Sequence, residues 1–527
     1  MTELLTPAPV DARVSHRRAM RALVRVESIR FVRHPLTIAA LLLFLAPWIY
    51  SVAAGGTGPF AVLHDAVVDL EVLAMFALGS GALAVANLAA LRAHRHRTDE
   101  LYGTLVLPAP WRAGAVLLAL VPYAAVATAV VGARLGVLAL RPGAVGRPDP
   151  AEVALVPAVI VLFGAVGVLL AVTVRSAVIA PLVTVVLAVA MLAALIAGAE
   201  GRPWVLRLTP VTPEGRGYSL PAALVERAPG WHLLYVLGLI GVLVAVTLGR
   251  AGARRTLVPL AVAVVVAVGA GAVQFRGDPA VERLRADVTR DPAPVESCRV
   301  RDGVEYCALG ELSAWVPYWD EVVRGVLRVA PTVAGPALAV RQRVWLTGRP
   351  DAGGSYTSSG AEDEARIAAW RQADTAAGHP EAVMLGTSWG SDADAASFAA
   401  AVAFRVLTGT AVASQSPVCG ARGALLIWLV GQATPGAGRG LRDLDASSWG
   451  AVSFFDESLL TSVAVPDRDA AAGLALLERP AGAVAAVVRA HWDELASADT
   501  PLERFGELLD IPVAAAGPVE ERPTCAG

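Results

Sequence analysis

The chain has 527 residues, of which 55% are hydrophobic and 17% are charged, and its formal net charge is −2. This charge does not indicate nucleic acid as a partner. No lysine occurs anywhere, which excludes a P-loop of the form GxxxxGK(S/T), because the lysine of that motif must reach the nucleotide phosphates.

Composition divides the chain into three regions. Residues 1–35 form a basic tail, Leu, Val and Ala runs dominate residues 36–275, and residues 276–527 have the Asp, Glu, Trp, Gly and Pro content of a soluble domain. We therefore predict a membrane all-α helical bundle of about seven transmembrane helices, followed by a mainly α (α+β) extracytoplasmic soluble domain.

The tail contains a segment, residues 15–34, that has two different faces when it is read as a helix. One side carries Met20, Leu23, Val24 and Phe31, and the other carries Arg18, Arg21 and Arg25. This pattern predicts an interfacial amphipathic helix whose arginines meet anionic lipid headgroups before Pro35 ends it. A solvated basic tail is the alternative interpretation.

Seven segments have the roughly 20 apolar residues that a helix needs to cross a bilayer core about 30 Å thick. They are residues 36–53, 67–91, 113–132, 153–174, 177–197, 231–248 and 257–273. Soluble core helices rarely run this long without a charge, because their outer face meets water. The arginine-rich stretch before the first segment is too long for a signal-peptide n-region, so we interpret that segment as an uncleaved anchor.

Arginines are unevenly distributed among the connections between these segments. The tail and the loops after the second, fourth and sixth spans carry arginines, whereas residues 54–66 carry none, the loop with Arg141 and Arg147 carries two, and residues 199–230 carry four across a longer stretch. Because cytoplasmic loops retain positive charge, we predict a cytoplasmic N-terminus. Seven crossings then deliver the C-terminal domain to the outside of a multi-pass protein of the cell membrane.

The loop at residues 92–112 reads RAHRHRTDELYGTLVLPAPWR. Thr98 is a suitable N-cap, the acidic residues that follow suit the first turn of a helix, and Pro108 ends the run. We predict a docking surface made of Asp99, Glu100, Leu101, Tyr102 and Leu105. An apolar cluster at the cytoplasmic end of a bundle favours a partner, although packing against neighbouring helix ends would also cover it.

This loop also carries a pattern formed by Glu100, Gly103, Thr104, Leu105, Leu107, Pro108, Pro110 and Arg112. The pattern resembles the E...GTL..LP..R loop of ABC-2 type exporter permeases, and its place between the second and third spans, after a basic amphipathic helix, is similar to that family. The resemblance covers roughly residues 15–250. The seventh span and the C-terminal domain depart from the simplest family pattern.

The resemblance implies a permease subunit, not an enzyme, that exports an unknown substrate as a homodimer or heterodimer of permeases in the lipid bilayer. A separate ABC ATPase subunit would dock on the loop and on the amphipathic helix. That partner would use ATP, so the resemblance implies no cofactor in this chain.

Ionisable residues within the membrane half are few. Asp65, Asp69 and Glu71 lie at the outer end of the second span, and Arg134 lies at the outer end of the third. Such residues are functional candidates because ionised side chains are unfavourable in a membrane. We weigh a gate or substrate contact at the outer mouth against interfacial residues that extend to water.

All four cysteines, Cys298, Cys307, Cys419 and Cys525, fall in the C-terminal region. This distribution is typical of an oxidising compartment, where thiols form disulfides, and it agrees with the predicted orientation. We expect Cys298 to pair with Cys307. A four-cysteine zinc site is the rival interpretation, but no C-x2-4-C pair is present, so we assign no metal.

The C-terminal region reads as mainly helical, and we predict its elements from periodicity and turn residues. The predicted helices cover residues 279–290, 315–329, 361–375, 393–407, 421–432, 468–478 and 481–496, and the predicted strands cover residues 340–346 and 382–385. No HExxH or GxGxxG motif occurs; residues 386–390 read GTSWG, which fits GxSxG, and we interpret Ser388, Trp389 and Gly390, followed by Asp392 and Asp394, as a helix start rather than a catalytic site. We assign no catalytic residue and expect a ligand-binding or interaction domain.

Two functions therefore remain. The chain is either an export permease subunit that works with a separate ATPase, or a membrane-anchored extracytoplasmic receptor, degenerate hydrolase or scaffold that transports nothing.

Overall fold

The computed structural model describes residues 12–53, 60–98, 107–199, 203–211, 219–225, 228–290, 292–330, 338–344, 346, 360–456, 458–459 and 461–514. Within these residues, a bundle of apolar helices is followed by a region in which helices surround two small sheets.

Long helices, all but the first of them apolar, build the N-terminal half, and we label them in chain order. They are α1 (Ala12–Val32), α2 (Pro35–Ala53), α3 (Leu63–Ala90), α4 (Ala109–Ala139), α5 (Pro150–Thr173), α6 (Ile179–Ala199), α7 (Pro229–Arg250) and α8 (Leu257–Gln274). Among the described residues, the six helices from α3 onward are long and apolar enough to cross a membrane. The bent pair His16–Val32 and Pro35–Tyr50, which meets at 49°, makes a seventh if it counts as one span. The predicted apolar helical bundle is thus confirmed, with six helices, where about seven were predicted, that could each cross a membrane.

Small residues let these helices approach closely. A Cβ added to Gly238 of α7 would lie 2.6 Å from the backbone nitrogen of Ala267 in α8, and one added to Gly167 of α5 would overlap the Leu83 carbonyl oxygen of α3. Close backbone contact at small residues is a common source of association between membrane helices, where apolar burial alone gives little advantage over lipid.

A π-helical turn, Met75–Gly79, interrupts α3. The Tyr123 hydroxyl of α4 donates a hydrogen bond of 3.0 Å to the Leu78 carbonyl oxygen within this turn. A π-turn alters the regular backbone hydrogen bonds of a helix, and in an apolar surrounding each carbonyl group needs a donor. Tyr123 thereby stabilises the irregular turn.

Helix α1 packs against the start of α4. The Phe31 side chain is fully buried in a cluster with Val116, and the His16 and Trp111 ring centroids lie 6.0 Å apart. A helix is present where the amphipathic helix was predicted, and its arginines lie on the exposed side. Its apolar side, which we expected to enter the acyl boundary, is covered in part by the bundle itself.

The C-terminal region contains ten further helices and seven strands among the described residues. In chain order they are α9 (Pro279–Arg290), β1 (Glu296–Arg301), β2 (Val304–Leu309), α10 (Val316–Leu327), β3 (Ala339–Gln342), α11 (Gly360–Ala376), β4 (Val383–Leu385), α12 (Asp392–Thr408), β5 (Ser416–Pro417), α13 (Gly420–Ala433), α14 (Pro435–Ala446), β6 (Ala451–Asp456), β7 (Thr461–Pro466), α15 (Asp467–Ala475), α16 (Ala481–Ala490), α17 (Trp492–Ala496) and α18 (Leu502–Leu509).

The first sheet has the strand order β1-β2-β3-β4. Strands β1 and β2 form an antiparallel hairpin, while β3 pairs in parallel with both β2 and β4. The hairpin turns at Asp302 and Gly303, whose φ angles are 48° and 82°. Two consecutive positive φ values are the requirement of a type I′ turn, which explains the Asp-Gly pair at this position.

The second sheet has the order β5-β7-β6, and a helical core separates it from solvent on one side. Helix α13 lies at the centre of this core, where Trp428 is fully buried, as are Trp315 and Trp319 from the segment around α10. Large buried aromatic side chains contribute much of the apolar area in such a core. These side chains belong to one large apolar core.

The seven helices predicted in this region are all present, with ends displaced by a few residues. Two predicted elements differ in extent: the helix at 481–496 is divided at His491, and the strand at 340–346 ends at Gln342. Residues 303–307 form the end of the hairpin turn and the start of β2. The second sheet was not predicted: β6 and β7, of six residues each, were missed, and β5 has only two residues.

Candidate functional sites

Glu27 joins α1 to the segment that follows α3. Its side chain is buried, and both of its carboxylate oxygens accept hydrogen bonds from the Arg92 guanidinium, with Nη2 at 3.1 Å from Oε2. Arg30, one helical turn away on α1, donates to Oε1 at 3.3 Å. A buried carboxylate with two arginine partners holds α1 against the end of the bundle from which the loop at 92–112 emerges.

The five residues of the predicted docking surface, Asp99, Glu100, Leu101, Tyr102 and Leu105, lie outside the described residues. The flanks of the loop are described. The Thr98 hydroxyl donates to the Ala93 carbonyl at 3.3 Å, and Arg112 donates to the Leu107 carbonyl at 3.0 Å. Helix α4 begins at Ala109, directly after Pro108, so the span that follows the loop starts earlier than the predicted residue 113.

The four ionisable residues predicted at the outer mouth occupy different environments. Asp65 is half-buried, Asp69 is exposed, and Glu71 is only 2% exposed within the bundle. The Arg134 guanidinium lies over the Trp48 ring of α2, 4.9 Å from its centroid, in a cation–π arrangement. The exposed Asp69 side chain fits the interpretation of an interfacial residue that extends to water. Glu71 does not fit it, because its side chain is buried inside the bundle.

The expected disulfide between Cys298 and Cys307 is present. The two residues are directly opposite each other in the β1–β2 hairpin, with their Cα atoms 4.0 Å apart. Cys419 is also disulfide-bonded, and Cys525 lies outside the described residues. The Glu296 carboxylate lies within 4.8 Å of the Cys298 and Cys307 sulfurs, but sulfurs in a disulfide are not the thiolates that bind zinc.

Glu296 is already engaged in a buried charge cluster with Asp374, Arg341 and Arg343. Arg341 Nη1 lies 3.1 Å from Asp374 Oδ1 and Arg341 Nη2 lies 2.5 Å from Glu296 Oε2, while Arg343 contacts both carboxylates. Burial raises the pKa of Asp374, and the two arginines oppose this shift. Each charge has opposite partners within the cluster, so its role is to connect β1, β3 and α11.

The C-terminal region is attached to the bundle by a set of contacts that we call the joint. The bundle contributes three loops, residues 60–64, 143–146 and 220–222. The C-terminal region contributes Glu311, Trp315, Tyr318, Trp389 and Gly390. Its centre is Phe60, whose amide donates to the Trp389 carbonyl at 2.7 Å and whose ring meets Tyr318 edge-on at 4.8 Å. Gly143 and Gly390 lie on the two sides of this ring, both at positive φ, and a Cβ on either would overlap it. Only glycine satisfies both requirements at these positions.

Two loops of the bundle meet beside Phe60. Val62 and Val145 form a parallel bridge, in which Leu63 N donates to Val145 O at 2.8 Å and Val145 N donates to Ala61 O at 2.9 Å. The Trp315 indole donates to the Gly143 carbonyl at 2.7 Å. Val62 and Val145 belong to the same apolar cluster as the core of the C-terminal region, so the two loops contribute to that core.

His64 adds a polar contact to the joint. Its Nε2–H donates to the Leu220 carbonyl at 2.7 Å, and its Nδ1 lies 3.5 Å from Glu311 Oε1. The same Glu311 oxygen accepts the Ala222 amide at 3.1 Å. His64, which is buried, therefore meets both the loop before α7 and the segment before α10.

Sequence reasoning did not find the joint. Its partners are far apart along the chain: Val62 and Val145 are 83 positions apart, and His64 and Leu220 are 156. One local signal was available: residues 60–63 read Phe-Ala-Val-Leu in a loop that lies outside the predicted spans. An apolar run in a connecting loop indicates a covering surface.

No protein-family model, no curated protein and no solved structure matches this chain. Its function is therefore inferred from the positions and the chemistry of its own residues.

Proposed function

We propose that the chain is the membrane-spanning permease subunit of an ABC-2 type exporter, driven by a separate ATP-hydrolysing subunit. The observation that supports this most is the attachment of α1 to Arg92 through the buried Glu27 carboxylate. It links α1 to the end of α3, next to the 92–112 loop on which a partner would act. In the proposal, the permease is paired with a second copy or with another permease.

The proposed orientation has the N-terminus in the cytoplasm and the C-terminal region outside. Two observations support it. The joint involves the loops before α3, after α4 and before α7, whereas Arg92 and Trp111 lie at the opposite ends of α3 and α4, where Glu27 of α1 contacts Arg92. The arginine-rich connections thus belong to the end away from the C-terminal region, as the positive-inside rule requires if the bent pair α1–α2 supplies a seventh crossing.

Partner association tests the proposal. The chain is purified in mild detergent from its own cells, and accompanying chains are identified by mass spectrometry and tested for ATP hydrolysis. We expect a nucleotide-binding chain that carries a P-loop lysine, with its reading frame beside that of the permease. The double variant Asp99→Lys, Glu100→Lys should abolish its recovery, because it reverses the charge of the proposed docking surface.

The matched control is Asp443→Lys with Asp493→Lys, which makes the same charge change at two exposed carboxylates of the C-terminal region. This control should retain the ATPase. Recovery of the intact chain without any nucleotide-binding partner, together with unchanged efflux in a deletion strain, would instead establish the receptor or scaffold function.

A further inference from the structure

Two buried histidines hold the connection between α6 and α7. We call its described residues, 203–211 and 219–225, the linking segment. The Pro210 carbonyl oxygen lies 3.2 Å from Nε2 of His232 in α7, and the Leu220 carbonyl oxygen lies 2.7 Å from Nε2 of His64 in α3. One imidazole ring therefore contacts each part of the linking segment, and the proposed transport function gives neither ring a role.

Both ring nitrogens of His232 face oxygens that can only accept hydrogen bonds. Besides the Pro210 carbonyl, Gln274 Oε1 lies 3.1 Å from Nδ1. The Gln274 amide is oriented by its Nε2, which donates to the Arg207 carbonyl at 2.7 Å, so turning the amide would place two oxygens against each other. A neutral imidazole has one N–H and satisfies one of the two acceptors, whereas an imidazolium satisfies both. The hydrogen bonds around His232 are thus complete only when the ring is protonated.

His64 has the same arrangement. Its Nε2 faces the Leu220 carbonyl, and its Nδ1 lies 3.5 Å from Glu311 Oε1. A neutral ring that donates to Leu220 turns a nitrogen lone pair towards this carboxylate, whereas an imidazolium attracts it. Asp65 Oδ1 lies 3.8 Å from Nε2 and adds a second negative group, while the loop after α4, which also contacts the ring, carries the exposed Arg147.

The other charges near His232 act in opposite directions. Arg207 of the linking segment donates to the Gln274 main-chain carbonyl at 3.0 Å, and its positive charge disfavours an imidazolium. Glu152 lies in the first turn of α5, which packs against α7, and its negative charge favours one. The Tyr235 ring, 5.9 Å from the imidazole, is uncharged near neutral pH. The protonation of His232 therefore depends on a balance that solution pH can change.

We propose that the linking segment is held by a pH-dependent clamp, which is closed when His64 and His232 are protonated and loosened when they are neutral. Histidine is the side chain whose charge ordinarily changes between about pH 5 and 8. Because the imidazolium is the form that donates at both nitrogens, the clamp is complete at acid pH and weakens as the pH rises. The Tyr235 hydroxyl donates to the Leu208 carbonyl at 3.1 Å at any pH in this range, so the segment loosens without leaving the bundle.

The clamp would make the joint sensitive to pH. Glu311 belongs to the C-terminal region and Gln274 ends α8, so the two histidines connect the linking segment to the C-terminal region and to the last apolar helix. Acid pH would therefore attach these parts more firmly to one another. In the proposed orientation all of them lie on the outer side, and the pH that the clamp responds to is that of the exterior.

Hydrogen–deuterium exchange of the purified full-length chain in detergent tests the clamp without an ATPase, so its result is independent of the transport proposal. Protection factors, corrected for the intrinsic exchange rate at each pH, are compared for peptides that cover residues 204–211 and 220–225. We expect about tenfold stronger protection near pH 5.5 than near pH 8 in both peptides, because deprotonation removes a charge-assisted hydrogen bond.

His232→Gln should abolish the pH difference in the first peptide, and His64→Gln should abolish it in the second. Glu311→Gln should move the transition of the second peptide to lower pH, because it removes the negative charge that faces Nδ1; a merely structural role of Glu311 would not move it. The matched control is His491→Gln, which replaces a partly exposed histidine outside the clamp and should keep both differences.

Equal protection of the unaltered chain at the two pH values would overturn the proposal, as would a pH difference that persists in the double variant His64→Gln, His232→Gln. If the histidine variants do not fold, the unaltered chain and Glu311→Gln complete the test. An unchanged transition in Glu311→Gln would then overturn the proposal.

Discussion

Buried charges in this protein are held by partners that are distant in sequence. Glu27 meets Arg92 across 65 positions, and Arg341 meets Glu296 across 45. An unpaired charge in either place would be strongly unfavourable, so each pair indicates a fixed spatial relation between two segments. No periodicity or spacing identifies which arginine faces which carboxylate, and the sequence accordingly left Glu27 without a role.

The Glu27–Arg92 pair can be tested by single replacements. Glu27→Gln keeps the shape of the side chain but leaves Arg92 without its counter-charge, and we expect a loss of about 1–3 kcal/mol in the free energy of unfolding. Arg30→Gln removes only a half-exposed partner of the same carboxylate and should change stability by less than about 0.5 kcal/mol. Thermal unfolding in one detergent measures both, and equal effects would show that the pair is not a special contact.

Elements differ in how far local sequence specifies them. The long apolar helices need only enough consecutive apolar residues, because in a membrane the helix satisfies its own backbone groups. Neighbouring residues also specify the start of α12. The helix predicted at 393–407 begins at Asp392, where Ser391 and Asp394 form a reciprocal capping box. Strand β5 has two residues and becomes a strand only because β7 lies beside it.

The loops of the joint depend on two glycines, and this dependence can be measured. Gly390→Ala should lower the free energy of unfolding by about 2–4 kcal/mol, because it combines an unfavourable positive φ with overlap of the Phe60 ring. Gly303 is the control, since its φ is +82° and nothing lies within 4 Å of an added Cβ. Gly303→Ala should therefore lose only about 1–2 kcal/mol.

Thermal unfolding and limited proteolysis of the full chain would follow these two variants. Enhanced cleavage at residues 60–63 is expected in the Gly390 variant alone. Indistinguishable behaviour of the two variants would mean that Phe60 is not held by Gly390.

At the scale of the whole molecule, the joint makes the C-terminal region an extension of the bundle. Val62 and Val145, from two membrane loops, are part of its apolar core, and the Trp315 indole is hydrogen-bonded to a third loop residue, Gly143. A domain held in this way moves with the ends of α3 and α4. In the proposed exporter, motions at the 92–112 loop would reach the C-terminal region along those two helices.

The proposed orientation predicts which exposed positions, when an arginine there is replaced by cysteine, react with an impermeant maleimide in intact cells. Arg141→Cys, after α4, should react in intact cells, whereas Arg95→Cys, after α3, should react only after permeabilisation. The unaltered chain is the blank, because its disulfide-bonded cysteines do not react without reductant. Reaction of Arg95→Cys in intact cells would reverse the proposed orientation.

The sequence by itself determined the membrane bundle, the amphipathic helix and the Cys298–Cys307 pair, because these depend on hydropathy, helical period and the short separation of two cysteines. The tertiary structure alone decided the Glu27–Arg92 link, the second sheet, the joint around Phe60 and the two histidine contacts of the linking segment. Each of these needs segments that are far apart in the chain to come together, and their side chains acquire a role only when the partner surface is in place.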